Sequence, residues 1–89
     1  MAEIDVETIG ERAYQVTVTE HGSTSGHEVT VGPEELALLG EGRSADQLVE
    51  ASFRFLLDRE PKESIMAKFD LSVINRFFPE YRQRIGDYL

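Results

Sequence analysis

The two histidines of this chain flank a short polar segment and are its best candidates for metal chemistry. His21 and His27 stand on either side of the sequence GSTSG, and each is next to a glutamate. A neutral imidazole is a common ligand of zinc and other transition metals, and two of them across a hairpin can hold one ion. A small metal-binding protein is therefore one function that this pattern allows.

The apolar pattern of the flanking strands predicts whether the two rings meet. The valines of both strands fall on one face when residue 18 pairs with residue 29, and a slip of one residue would turn them to opposite faces. In that register Glu20 faces His27, and His21 points to the other face. We therefore expect two solvated loop histidines, with no metal ligands.

The other patterns that resemble catalytic motifs lack essential parts. The chain has no cysteine, which removes thiolate chemistry and disulfides. Serine, histidine and acid all occur within residues 20–28, but an exposed hairpin offers no buried carboxylate to orient a base. The segment Gly40-Glu41-Gly42-Arg43-Ser44 is too short for a phosphate-binding loop and has no lysine. We expect no enzyme, no catalytic residues and no cofactor.

Charge is distributed very unevenly along the 89 residues. Residues 1–42 contain nine acids and one base, whereas residues 43–89 contain eight of each, so the first part carries the whole net charge of −8. Nucleic-acid phosphates attract lysine and arginine, which makes a nucleic acid an unlikely partner. Acidity of this kind attracts a basic protein partner or simply keeps the chain soluble.

Length and hydropathy predict one small domain, residues 1–89, in the cytoplasm. No apolar run approaches the ~18 residues of a membrane span, so we expect no membrane association. The first ten residues have neither the basic start nor the apolar core of a secretory signal.

The acidic part predicts β-structure. Apolar and polar residues alternate over residues 3–8, 14–19 and 28–31, with a turn at Gly10-Glu11-Arg12 and a polar loop over residues 21–26. The alternation slips by one residue at Ile9, which fits a bulge or the turn itself. This pattern predicts a three-stranded antiparallel meander over residues 1–31 with one wet face.

Residues 33–89 predict helices. Pro33 starts a short helix that Gly40 and Gly42 end, and Ser44 with Gln47 forms a capping box for a second one. The apolar arc of residues 48–57 is too broad for one partner surface. This helix must therefore contact the sheet and also another helix, from its own chain or from a second copy.

Three further helical segments are predicted after the capped helix. One begins at Pro61 and carries Ile65, Met66 and Phe69, the next is capped by Asp70 and ends before Pro79, and the last covers residues 80–89. The fold class is therefore α+β: a three-stranded antiparallel meander followed by three to four short helices packed on one face.

Residues 29–60, VTVGPEELALLGEGRSADQLVEASFRFLLDRE, resemble a ribbon-helix-helix unit. Members of that family have a strand, a helix opened by Pro-Glu-Glu and a serine-capped second helix. A β-rich part joined to such a unit is also the layout of HicB-type antitoxins. The resemblance implies a dimer, a ribbon that binds promoter DNA and a toxin partner.

Residues 69–85, FDLSVINRFFPEYRQRI, resemble the tail of small uncharacterised prokaryotic proteins. This second resemblance implies a prokaryotic source and says nothing about function. The broad apolar arc of residues 48–57 and the Phe77-Phe78 pair before Pro79 instead favour a non-enzymatic interaction and oligomerisation module that forms a homodimer or binds another protein. We expect Phe55, Phe78 and Tyr81 to be its exposed apolar contacts.

Overall fold

Alternating apolar residues in the first third of the chain form the predicted meander. In the computed structural model, which describes residues 2–89, its strands are β1 (Glu3–Gly10), β2 (Ala13–Glu20) and β3 (Ser23–Thr30). Both strand pairs are antiparallel. Val16, Val18 and Val29 are fully buried on one face of the sheet, because every second side chain of a strand points the same way. The predicted α+β class is confirmed.

A two-residue turn at His21-Gly22 joins β2 to β3, where the sequence predicts a longer loop. Both residues have positive φ angles, 55° and 76°, as a type I′ hairpin turn requires. Glu20 pairs with Ser23, and Val16 pairs with His27, four positions earlier than expected. The shared face of the valines is right, but the expected pairing of Glu20 with His27 is wrong.

The turn between β1 and β2 agrees with the sequence. Gly10 pairs with Ala13 around Glu11 and Arg12, and the register shifts between Thr8 and Gly10. Ile9 is therefore a bulged residue, which is one of the two interpretations that its break in the alternation allows.

The first two helices begin and end where their signals stand. Helix α1 (Pro33–Leu39) has proline in its first turn, and helix α2 (Ala45–Leu57) follows Ser44. The Gln47 side-chain oxygen accepts hydrogen bonds from the Ser44 backbone N–H and hydroxyl, both at 3.1 Å. This capping contact fixes the start of α2.

The predicted helix after Pro61 is wrong, because the chain there forms a fourth strand. A single 3₁₀ turn, Lys62–Ser64, is followed by β4 (Lys68–Asp70). Strand β4 pairs in parallel with β3 and completes a sheet of order β1-β2-β3-β4. The spacing of the apolar residues fits a helix, but residues 68–70 form backbone hydrogen bonds with the edge of β3 and become a strand.

Short helical segments complete the chain. A 3₁₀ turn (Leu71–Val73) leads into α3 (Ile74–Phe77), which ends before Pro79 as predicted. Helix α4 (Tyr81–Arg84) continues as a 3₁₀ turn (Ile85–Tyr88). The single helix expected over residues 80–89 is thus two shorter elements.

Helix α2 forms the centre of the core, with a different neighbour on each side. Its Phe53 ring lies 5.3 Å from the His27 ring and 5.9 Å from the Phe69 ring, between centroids, on the side of the sheet. Its Phe55 ring lies 5.2 Å from Tyr81 and 5.8 Å from Tyr88, on the side of the C-terminal segment. The broad apolar arc of α2 is therefore covered by its own chain.

Candidate functional site: an apolar groove beside Phe77

The three residues predicted to be exposed contacts lie mostly inside the protein. Phe55 and Tyr81 are 0% exposed, and Phe78 is half-buried. The expected exposure of Phe55 and Tyr81 is wrong, because the C-terminal segment folds back on α2 and covers it. Phe78 packs edge-on against Phe55, with 6.0 Å between the ring centroids.

The exposed aromatic ring is the neighbour of Phe78 instead. Phe77 is 65% exposed and Met66 is 43% exposed, and both line a groove of about 330 Å³. The other apolar lining residues come from α2, from the segment before β4, from β4 itself, from the 3₁₀ turn that follows it, and from α3 with the residue after it. They are Leu56, Ile65, Phe69, Val73, Ile74 and Phe78.

One ionisable side chain, Glu60, lines this groove. Burial raises the pKa of the Glu60 carboxyl above its ordinary value, because a carboxylate loses solvation beside apolar side chains. The groove therefore offers an apolar floor with a single carboxyl group. Such a lining suits an apolar side chain better than a charged or strongly polar ligand.

Two long-range contacts fix the wall of the groove that contains Met66. His27 Nδ1 lies 2.8 Å from the Met66 carbonyl oxygen, and the Glu28 backbone N–H donates to the Ala67 carbonyl at 2.7 Å. Because a carbonyl only accepts, Nδ1 carries the hydrogen of the His27 ring. Strand β3 thus holds the segment before β4 in place from inside the core.

Two further buried polar side chains, those of Ser52 and Lys62, are engaged in structural contacts. The Ser52 hydroxyl donates to the Leu48 carbonyl at 2.7 Å and accepts from the Tyr81 hydroxyl at 2.7 Å. Burial raises the pKa of Tyr81 to about 12, since its phenolate would be formed out of contact with water. Lys62, which is also buried, donates to Ser23 and to Glu63.

Of the two histidines expected to be solvated, His21 agrees with the expectation and His27 does not. His21 is exposed in the hairpin turn, whereas His27 is only 3% exposed on the inner face of the sheet. The second ring nitrogen of His27 lies 2.8 Å from the Ser25 hydroxyl, so both nitrogens have protein partners. Residues 2–89 contain no group of three or more histidine, cysteine, aspartate or glutamate side chains placed to hold a metal ion.

The strand of the suggested ribbon-helix-helix unit lies inside the sheet. Val29 pairs with Tyr14 on one side and with Phe69 on the other, so both edges of the strand are occupied. A ribbon between two copies would need one of these edges to be free. In this conformation that strand offers neither of its edges to a second copy.

Comparisons with protein-family models, curated proteins and solved structures found no match to this chain. Within residues 2–89, no helix has the length and apolar character needed to cross a membrane.

The sequence contains a partial signal for the groove. Phe77 and Phe78 are adjacent before a proline, and neighbouring side chains of a helix point about 100° apart, so a short helix packed on one narrow face exposes one of them. The sequence-based prediction of an exposed contact names Phe78, whereas in the structure Phe77 is the exposed ring. The contribution of Met66 has no local signal, because the position of that residue depends on the long-range pairing of β4 with β3.

Proposed function

We propose that this protein is a non-enzymatic interaction module that forms a homodimer through the groove beside Phe77. The observation that carries the proposal is the exposure of the Phe77 ring at the edge of an apolar groove. A large exposed apolar side chain next to an apolar cavity is typical of an interaction surface.

A second copy of the chain suits this surface because the surface contains both a protruding ring and a receiving groove. In a two-fold symmetric dimer the same patch meets itself, so Phe77 of each copy enters the groove of the other. The insertion buries two aromatic rings, and buried aromatic residues supply much of the energy of protein interfaces.

The charge distribution also favours pairing through this part of the molecule. The lining residues of the groove fall within residues 56–78, which contain four acids and four bases and are therefore neutral. The net charge of −8 belongs to residues 1–42. Two copies that meet at the neutral groove avoid bringing their acidic parts into direct contact.

The hydrogen bonds of three buried polar side chains support a role without catalysis. His27, Ser52 and Lys62 each hold two chain segments together by hydrogen bonds. A catalytic base or nucleophile needs access to a substrate, and these three side chains are almost completely covered.

Light scattering of matched variants tests the proposal. Phe77→Ser removes the inserted ring, and Leu38→Ser removes an equally exposed apolar side chain from α1, outside the groove; the two residues are 65% and 66% exposed. We expect dimer mass for the wild type and for Leu38→Ser, and monomer mass for Phe77→Ser. The wild-type dimer should persist in about 0.5 M NaCl, because salt screens charges and leaves apolar contacts intact.

Either of two results would contradict the proposal. A wild type that stays monomeric at high protein concentration would exclude the homodimer. A dimer that tolerates Phe77→Ser would place the interface elsewhere. Far-UV circular dichroism of each variant verifies that the fold is retained.

A further inference from the structure

The free edge of β1 is a second surface, at the opposite end of the sheet from β4. In the sheet order β1-β2-β3-β4, β1 pairs only with β2 among residues 2–89. It is eight residues long and contains no proline, whereas the other edge strand, β4, has three residues. Alternate residues of an antiparallel edge strand direct their backbone N–H and C=O groups outward, where another strand can bind them.

The outer face of β1 carries a row of carboxylates whose cross-strand partners among residues 2–89 are uncharged. Glu3, Asp5 and Glu7 are exposed at alternate positions, which places them roughly 6–7 Å apart along the strand. Their partners on β2 are neutral. The pairs are Glu3 with Thr19, Asp5 with Thr17, and Glu7 with Gln15.

This row decides between the possible occupants of the edge. A second copy pairing through its own β1 would place carboxylates beside carboxylates, and like charges on adjacent strands destabilise a sheet. A strand with lysine or arginine at alternate positions would instead place each base beside an acid. The charge pattern therefore excludes a second copy and favours a basic segment.

The inner side of the edge offers space for the intervening side chains. A pocket of about 360 Å³ lies beside β1 on the side of α2. Its lining combines the apolar surface of Ile4, Leu57 and Tyr88 with the charged side chains of Glu20, Arg54 and Asp58. Ile4 is half-buried on the inner face of β1. An inward side chain of an added strand would lie beside Ile4, which favours an apolar residue between the basic ones.

We propose that the free edge of β1 binds an extended polypeptide segment of a partner protein in which basic and apolar residues alternate. The segment adds a fifth strand to the sheet, with its basic side chains beside Glu3, Asp5 and Glu7 and an inward apolar side chain beside Ile4. Backbone hydrogen bonds supply the general affinity and the alternate side chains supply the selectivity. The surface is separate from the groove beside Phe77, so both can be occupied at once.

The test uses the full chain and short synthetic peptides. A peptide that alternates lysine and valine is titrated into isotope-labelled protein, and the β1 amide resonances and their hydrogen exchange are followed by NMR. We expect shifts confined to β1 and the Ile4 pocket, together with slower exchange of the outward β1 amides. A peptide that alternates glutamate and valine should not bind.

Two matched controls separate strand addition from general attraction of charges. The first is the same lysine–valine peptide with N-methyl groups on one edge, which keeps its charge but removes its backbone donors. It should bind about tenfold more weakly or worse, equivalent to one or two lost hydrogen bonds. The second compares the triple variant Glu3→Gln, Asp5→Asn and Glu7→Gln with Glu34→Gln, Glu41→Gln and Asp46→Asn, which removes the same charge from exposed positions elsewhere. Only the first triple variant should lose binding.

The outcomes that overturn the inference are distinct. Equal binding of the N-methylated peptide would mean that only charge attraction operates. Equal loss in both triple variants would mean that net charge, rather than the β1 row, is recognised. No binding of the unmodified peptide would show that the carboxylates merely protect the edge from aggregation.

Discussion

His27 Nδ1 lies 2.8 Å from the carbonyl oxygen of Met66, a residue 39 positions further along the chain. This bond joins the inner face of β3 to the segment that forms one wall of the groove. The other ring nitrogen contacts Ser25, and the ring face packs against Phe53. A histidine that sequence analysis placed in a solvated loop therefore helps to shape the proposed interface.

The His27→Ala variant should lose stability and loosen the groove. It leaves the Met66 carbonyl without its partner and opens a cavity beside Phe53, which together cost roughly 2–4 kcal/mol. Urea denaturation at fixed protein concentration measures the loss, and hydrogen exchange over residues 65–70 should accelerate.

The exposed histidine supplies the control for this variant. His21→Asn retains a residue that tolerates the positive φ of the turn, and its stability should stay within about 0.5 kcal/mol of the wild type. Equal effects of the two substitutions would show that the His27 contacts contribute nothing particular.

Tyr81 should make the stability of the protein fall at high pH. Burial raises its pKa to about 12, above the ordinary value of about 10 for an unfolded chain. Between these values the unfolded state releases the phenolic proton while the folded state keeps it, so stability decreases as pH rises, by at most about 1.4 kcal/mol per pH unit. Denaturation at a series of pH values from 9 to about 12 measures this slope.

Comparison with Tyr81→Phe isolates the contribution of this residue. The variant loses the hydrogen bond to Ser52, which costs roughly 1–2 kcal/mol near neutral pH, and its alkaline slope should be shallower. Tyr14→Phe should retain the wild-type slope. A wild-type slope in Tyr81→Phe would assign the effect to other groups.

Arg59 should stabilise the packing of the C-terminal segment against α2. Its guanidinium carbon lies 3.7 Å from the centre of the Phe55 ring, and its nitrogens contact Glu80 at 3.1 Å and Tyr88 at 3.3 Å. Removing these contacts in Arg59→Ala should cost about 1–2 kcal/mol. Hydrogen exchange over residues 81–88 should accelerate more than exchange in the sheet.

A second arginine of α2 provides the comparison. Arg54 pairs with Glu50 across one helical turn, and both side chains are substantially exposed. Arg54→Ala should change stability by no more than about 0.5 kcal/mol. If Arg54→Ala lowered the free energy of unfolding as much as Arg59→Ala, the proposed stabilising role of Arg59 would be wrong.

Glu60→Gln should strengthen the homodimer. The carboxyl already has a raised pKa from burial in the groove, and a second copy would remove more of its solvation. A neutral amide is easier to cover, so the dissociation constant should fall about three- to tenfold, or roughly 0.7–1.4 kcal/mol. Sedimentation equilibrium at pH 7 measures this change.

The pH dependence of the dimer dissociation constant tests the burial of Glu60 independently. Covering Glu60 raises its pKa further, so the dimer takes up protons and should tighten as pH falls. This dependence should weaken in Glu60→Gln and persist in Glu34→Gln, whose carboxylate is exposed on α1. Unchanged affinity in Glu60→Gln would indicate that the groove stays open to water in the dimer.

The sequence predicts the parts of the fold that depend on local signals. The alternation around Val16 and Val18, the capping pair Ser44 and Gln47, and the break before Pro79 each operate within a few residues, and all agree with the structure. The hairpin register differs from the prediction because His21-Gly22 forms a two-residue turn and not the start of a longer loop. A glycine in the second position of such a turn readily adopts the positive φ that the turn requires.

The parts that were missed depend on contacts distant in sequence. Phe69 pairs with Val29, and Asp70 accepts a hydrogen bond from Thr30 across 40 positions. The sequence pattern near residue 69 does not indicate either contact, so the spacing of the apolar residues there predicts a helix. The groove depends on this pairing. The sequence therefore predicts an apolar surface in the C-terminal half, but two of the residues predicted for it, Phe55 and Tyr81, are buried.

The most direct test of the homodimer is an isotope-filtered NMR experiment on a mixture of ¹³C-labelled and unlabelled protein. It detects only contacts between different copies. If Phe77 enters the groove of the partner, we expect nuclear Overhauser effects from the Phe77 ring of one copy to the Ile65 and Ile74 methyl groups of the other. A dimer of normal mass that shows intermolecular contacts at other residues, and none at Phe77, would contradict it.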